Sequence, residues 1–206
     1  MEQYPVRKIE KPIDWCVTVP GSKSMTNRAL LMAALSDGTV TLDGVLFSDD
    51  SRHFISSLTA LGFDVLVEEE KRRVTVKGEG GTIPKKEAEI DVGSAGTAAR
   101  FLTAMLGMSD GSYVIQASGQ MKKRPMKDLF VLLEHTGAEI IYLEQEGFLP
   151  VKINGQRKDQ KLTVRLDISR STQFLSAMLL ISPMLPQGLH IPVSYTHLRA
   201  HETSQD

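Results

Sequence analysis

Ser36-Asp37-Gly38-Thr39-Val40-Thr41-Leu42 is repeated later in the chain as Ser109-Asp110-Gly111-Ser112-Tyr113-Val114-Ile115, 73 residues on. A third copy, Pro186-Gln187-Gly188-Leu189-His190-Ile191, follows after a further 77 residues. A second pair of turns, Leu61-Gly62-Phe63 and Thr136-Gly137-Ala138, keeps step at 75 residues. A turn that recurs at a near-constant period marks a chain built from copies of one supersecondary unit. Upstream of each copy lies an apolar helix, and before each helix a loop of small polar residues. The loops are Gly21-Ser22-Lys23-Ser24, Gly93-Ser94-Ala95-Gly96-Thr97 and Ser169-Arg170-Ser171-Thr172-Gln173. A helix N-terminus offers unpaired N–H groups and the positive end of the helix dipole. Three such ends brought to one point by a three-fold repeat make an anion site; the same repeat also serves packing alone.

Within the first unit, Val17-Thr18-Val19 predicts a strand, and Thr26 to Leu35 a nearly all-apolar helix buried on most sides. Thr39 to Leu42 predicts a strand, and Ser48-Asp49-Asp50 caps a helix carrying Phe54, Ile55, Leu58 and Leu61 on one face. Phe63 to Val67 and Val74 to Val76 alternate as a hairpin. The second unit repeats this order. Its strands are 90–92, 113–115, 140–143 and 151–153, and its helices are 97–106 and the one through Met126, Leu129, Phe130 and Leu133. The third opens on Leu162, Val164, Leu166 and Ile168 in alternation. It continues with a helix turning Phe174, Leu175, Met178 and Leu179 inward and a strand at 189–191, then stops. Met25, Met32, Met105, Met126 and Met178 fall at core positions, and His53 and His135 read as surface.

The 206 residues are 41% hydrophobic and 24% charged, enough to bury a core. A net charge of −1 argues against a general nucleic-acid or membrane-surface binder. One cysteine, Cys16, excludes an internal disulfide framework and fits a reducing compartment. Met1 to Pro5 has no apolar signal core, and the apolar run from Phe174 to Ile181 is too short to span a bilayer, so a cytoplasmic location is expected. His197 and His201 have the spacing of a metal pair, but no third ligand stands near, and no metal or organic cofactor is expected.

The loops carry the chemistry. In Pro20 to Arg28, Gly21 allows close backbone approach, and Ser24 and Arg28 share a helix face one turn apart. An ammonium, a hydroxyl and a guanidinium together suit phosphate or carboxylate. A capped helix with solvated Lys23 and Arg28 is the plainer reading. Val17 and Ser22 stand where a nucleotide P-loop needs glycine. In the second loop Gly96 leaves room for a ligand, and Arg100 braces the loop. Arg124, stiffened by Pro125, suits a fixed anion contact within the basic group Lys122, Lys123, Arg124 and Lys127. Ser171, Thr172 and Gln173 offer hydroxyl and amide groups for sugar-like hydroxyls and phosphate oxygens.

These motifs, in this order, resemble the enolpyruvyl transferase family over about residues 15–190, and within it the branch whose acceptor is shikimate 3-phosphate. The carrying stretches are 20–31, 93–100, 121–126 and 171–175. The branch using UDP-N-acetylglucosamine is a poorer match, because its first loop pairs the lysine with asparagine where Ser24 stands. The resemblance implies an α/β fold of mixed α+β type: repeated strand-helix-strand-helix-strand-strand units forming an alpha-beta prism, an inside-out barrel of buried helices and mixed sheets. It implies addition of the 5-hydroxyl of shikimate 3-phosphate to C2 of phosphoenolpyruvate with protonation of C3, and then loss of phosphate. Lys23, Ser24, Arg28, Ser171, Thr172 and Gln173 would hold shikimate 3-phosphate. Lys23, Gly96, Arg124 and Gln173 would line the phosphoenolpyruvate site, where Gly96 leaves room for the inhibitor glyphosate in sensitive members. The family's acid and base residues belong to a second globule, so none is assigned here.

By that resemblance, residues 1–15 belong with the second globule, and 16–193 form the first, in units of about 16–80, 88–156 and an incomplete 160–193. Residues 194–206 read as a non-family tail of translated adaptor sequence. A fragment inactive alone, monomeric when full length, is the expectation. A non-catalytic anion-binding scaffold and a UDP-sugar enzyme are the alternatives.

Overall fold

The first loop runs directly into α1 (Lys23–Leu35), which starts three residues before the apolar run predicts. Ser22 causes this. Its backbone is extended and its hydroxyl accepts the Met25 N–H at 3.4 Å, so Lys23 and Ser24 enter the first helical turn. The computed structural model describes residues 5, 8, 14, 16–157, 159, 161–164 and 172–192. After α1 come β1 (Asp37–Asp43), α2 (Asp49–Ala60), β2 (Asp64–Glu68) and β3 (Arg73–Glu79). They form an antiparallel sheet of order β1-β3-β2. The second unit gives β4 (Glu87–Asp91), α3 (Gly96–Gly107), β5 (Gly111–Gln116), α4 (Lys127–His135), β6 (Glu139–Tyr142) and β7 (Val151–Gly155). Its sheet order is β4-β5-β7-β6, with β4 and β5 parallel across α3. In the third, β8 (Leu162–Thr163) and β9 (Leu189–His190) again run parallel across α5 (Gln173–Ile181).

The mixed α/β arrangement follows the repeat. α1, α3 and α5 pack on one another, and sheet strands cover them: β3 lies against α1, and β5 and β7 lie against α3. Leu30, Leu31, Leu102, Met105 and Met178 are fully buried there. Each such side chain stabilises the fold by roughly 1.5–3 kcal/mol. The close fit is visible at two equivalent glycines. A Cβ on Gly78 would lie 2.3 Å from the Ser36 carbonyl oxygen, and one on Gly155 2.2 Å from that of Leu106. The end of each inner helix therefore presses on the backbone of its unit's sheet.

Four expectations need correction. Residues 17–19 form no strand: no neighbouring strand pairs with them, and Val17 and Val19 stand 70% and 74% exposed. Met25 and Met32 are exposed, as is Leu179, because one side of α1 and α5 has no element over it among the described residues. Met105, Met126 and Met178 are buried as expected. His53 is half-buried, not a surface residue, because α2 lies against β4 and the second loop. Leu166, Ile168 and the tail 194–206 lie outside the described residues.

Candidate functional site

Loop 1 is fixed from behind. A Cβ on Gly21 would meet the Gly44 carbonyl oxygen at 2.3 Å, and Thr26 Oγ1 accepts the Leu46 N–H at 3.2 Å. On this support, Lys23 Nζ pairs with Asp50 Oδ2 at 2.9 Å. One turn on, Arg28 Nη1 donates to the Ser24 hydroxyl and, at 3.1 Å, to the Ser24 carbonyl. Ser24 and Arg28 are thus joined, as their spacing predicts.

Loop 2 brings together two guanidinium groups. A Cβ on Gly96 would lie 2.7 Å from Arg124 Nη1 and 2.8 Å from Arg100 Nη1, so both arginines close on the same backbone position. Arg100 Nη1 also donates to the Gly96 carbonyl at 2.9 Å, while its buried Nε has no partner. Burial, and then the neighbouring Arg124 charge, push the Arg100 guanidinium below its ordinary value. Arg124 stands in an extended backbone before Pro125, its N–H bonded to the Met121 carbonyl at 2.9 Å. Lys122 and Lys127 are paired with Glu144 and Glu146. Among the described residues, Arg28, Arg100 and Arg124 have no carboxylate partner within 4.0 Å.

Two stacks join the loops. The Arg28 guanidinium of α1 lies 5.5 Å from the Phe101 ring centroid of α3. The Arg100 guanidinium of α3 lies 5.4 Å from the Phe174 ring of α5. Each arginine rests on an aromatic ring of the next unit, which brings the N-terminal turns of the three inner helices side by side. Thr172 is exposed just before α5, Gln173 is its half-buried first residue, and Ser171 lies outside the described residues. A cavity of about 470 Å³ adjoins Arg100, walled by Pro125, Lys127, Phe148 and Phe174. It is not lined by Lys23, Arg28 or Gly96.

Sequence reasoning treated Arg100 as a brace and missed that it converges with Arg124. It also missed Asp50 as the partner of Lys23, having read that carboxylate as capping chemistry. Only the i, i+4 spacing from Gly96 to Arg100 hinted at the first, and nothing local hinted at the second. Among the described residues, no group of three or more His, Cys, Asp and Glu is placed to hold a metal ion, and no helix is long and apolar enough to cross a membrane.

A family model described as EPSP synthase (3-phosphoshikimate 1-carboxyvinyltransferase) matches residues 7–201. The 3-phosphoshikimate 1-carboxyvinyltransferase of Trichormus variabilis is 40% identical over 196 residues, 95% of this chain and 46% of that protein. The EPSP synthase structure from Acinetobacter baumannii superposes with a TM-score of 0.71 at 27% identity, covering 81% of this chain and 38% of that one. The enolpyruvyl transferase NikO from Streptomyces tendae shares the fold at a TM-score of 0.56 and 13% identity, covering 88% of this chain and 40% of its own. The chain spans a little under half the length of the curated relatives it matches.

Proposed function

The chain belongs to the EPSP synthase family, and on that premise we propose that its three helix-start loops bind shikimate 3-phosphate and phosphoenolpyruvate for enolpyruvyl transfer. In this reading the acceptor's 5-hydroxyl adds to C2 of phosphoenolpyruvate, C3 takes a proton, and phosphate leaves. Lys23, Ser24 and Arg28, with Ser171, Thr172 and Gln173, hold shikimate 3-phosphate. Lys23, Gly96, Arg124 and Gln173, joined by Arg100, hold phosphoenolpyruvate. Two polyanions repel each other, so their approach needs cations already in place and short of counter-charge. The observation that supports the reading is the closing of the Arg100 and Arg124 guanidinium groups on Gly96 without a carboxylate among the described residues. General acid and base are assigned to the part of the relatives' length that this chain does not span. A cytoplasmic, monomeric full-length enzyme without cofactor belongs to the same proposal.

Calorimetric titration with shikimate 3-phosphate and, separately, UDP-N-acetylglucosamine tests it. Binding of the first alone is the expected result. Binding of the nucleotide sugar alone would transfer the assignment to the other branch of the fold. A Lys23→Ala variant that binds shikimate 3-phosphate as tightly as the parent would leave only a scaffold.

A further inference from the structure

α2 touches both anion loops through two side chains three residues apart. Asp50, in its first turn, holds Lys23 Nζ of loop 1 at 2.9 Å, with only 13% of the carboxylate side chain exposed. His53 lies on the same helix face. Its Nδ1 donates to the Asp91 carbonyl at 3.1 Å, which requires the proton on Nδ1 because a carbonyl only accepts. The ring also covers Gly93, where a Cβ would sit 2.2 Å from His53 Nε2. Gly93 is itself held by its neighbours. Its N–H donates to Asp91 Oδ1 at 2.8 Å, its carbonyl accepts the Ser118 N–H at 3.0 Å, and its φ is +54°.

The helix behind these contacts is anchored. Ser48 and Ser51 cap each other's turn, Ser51 Oγ donates to the Leu46 carbonyl at 2.5 Å, and Arg52 pairs with Glu69. We propose that this stretch of α2 is a brace that sets the two anion loops relative to each other, with Asp50 and His53 as positioning residues. Asp50 removes the rotamer freedom of Lys23 before any ligand arrives, so ordering that side chain does not oppose binding. His53 sets the height of loop 2, and with it the Gly96 position on which the arginines close. The anion-binding part of this inference rests on the function proposed above; the bracing itself does not.

The test combines amide hydrogen exchange with titration by shikimate 3-phosphate, using His53→Leu, His53→Asn, Asp50→Leu and Asp50→Asn. His53→Leu fills the space without a donor, whereas Asn puts a donor near the place of Nδ1. We expect His53→Leu to speed exchange at the Gly93 and Ser118 amides at least tenfold, with Leu58 and Leu102 unchanged, and His53→Asn to restore it. Asp50→Leu is expected to weaken shikimate 3-phosphate about tenfold at an unchanged melting temperature, and Asp50→Asn, which keeps an acceptor for the ammonium, to recover most of the loss. Unchanged exchange in His53→Leu, or no rescue by either asparagine, would overturn the brace. If the parent chain binds no shikimate 3-phosphate, the function reading fails while the exchange data still decide the brace.

Discussion

Replacing Gly96 by alanine separates binding from folding. Gly96 is the first residue of α3 and does not have the left-handed backbone that excludes a side chain. Alanine also favours the helix over glycine, by up to about 1 kcal/mol, and restricts the unfolded chain. The new methyl would stand 2.7 Å from Arg124 Nη1 and 2.8 Å from Arg100 Nη1. Contact between such atoms settles near 3.5 Å, so each nitrogen must retreat by roughly 0.7 Å. Both nitrogens end flexible side chains, and the fold absorbs that shift. A bound anion does not, because a charge-assisted hydrogen bond lengthened from about 2.8 Å to about 3.5 Å is lost. One such bond is worth roughly 1.5–3 kcal/mol, a weakening of about 10- to 150-fold. Calorimetric titration with phosphoenolpyruvate at saturating shikimate 3-phosphate, beside a thermal melt, reads both effects. Affinity within about threefold of the parent, with the melt unchanged, would refute the idea that the arginine pair holds the anion; a melt lowered by more than about 5 °C would mean the methyl strikes the scaffold.

Gly155→Ala behaves in the opposite way, since its Cβ would meet the Leu106 and Ser109 carbonyl oxygens at 2.2 and 2.4 Å, and backbone cannot swing aside. A loss of about 1–3 kcal/mol, or roughly 2–12 °C in melting temperature, is expected from denaturation curves. Thr103→Val should stabilise by about 1 kcal/mol in urea titration, because the buried Thr103 hydroxyl has no hydrogen-bond partner and valine has its shape. Hydrogen bonds from Lys71, Arg52 and Lys127 hold the carboxyls of Glu68, Glu69 and Glu146 below their ordinary range. Their contribution is therefore complete above that range and is lost as pH falls through the lowered values. A melting temperature that drops between pH 5 and about pH 3, less so at high salt, is the expected reading.

Local rules were enough wherever one element's own residues decide its state. Ser48 with Ser51, the apolar faces of α2 and α4, and the hairpin of β2 and β3 all lie where periodicity and capping place them. The three inner helices were also legible, because the turn register marks their ends. Residues 17–19 misled because alternation shows that a segment can pair, not that a neighbour is present. Met25 and Met32 misled in a similar way: an all-apolar helix shows no orientation, and the side left bare depends on what packs from elsewhere. In the site, the Ser24–Arg28 pair lies within one turn and was readable. The Lys23–Asp50, His53–Gly93 and Arg100–Arg124 meetings join residues 24 to 40 positions apart. They depend on how units stack, which no local pattern records. Arg100 also takes, at the 73-residue shift, the place of Asn27, whose buried amide atoms have no partner. The repeat therefore holds geometry constant while changing the chemistry at equivalent helix positions.

The central claim is that loop 1 recognises a phosphorylated acceptor through Arg28. Calorimetric titration of this chain and of Arg28→Ala with shikimate 3-phosphate tests it most directly. The account predicts saturable binding by the parent and a loss of about 10- to 150-fold in the variant, the value of one charged hydrogen bond. Equal affinity of parent and variant, with both melting cooperatively, would contradict it.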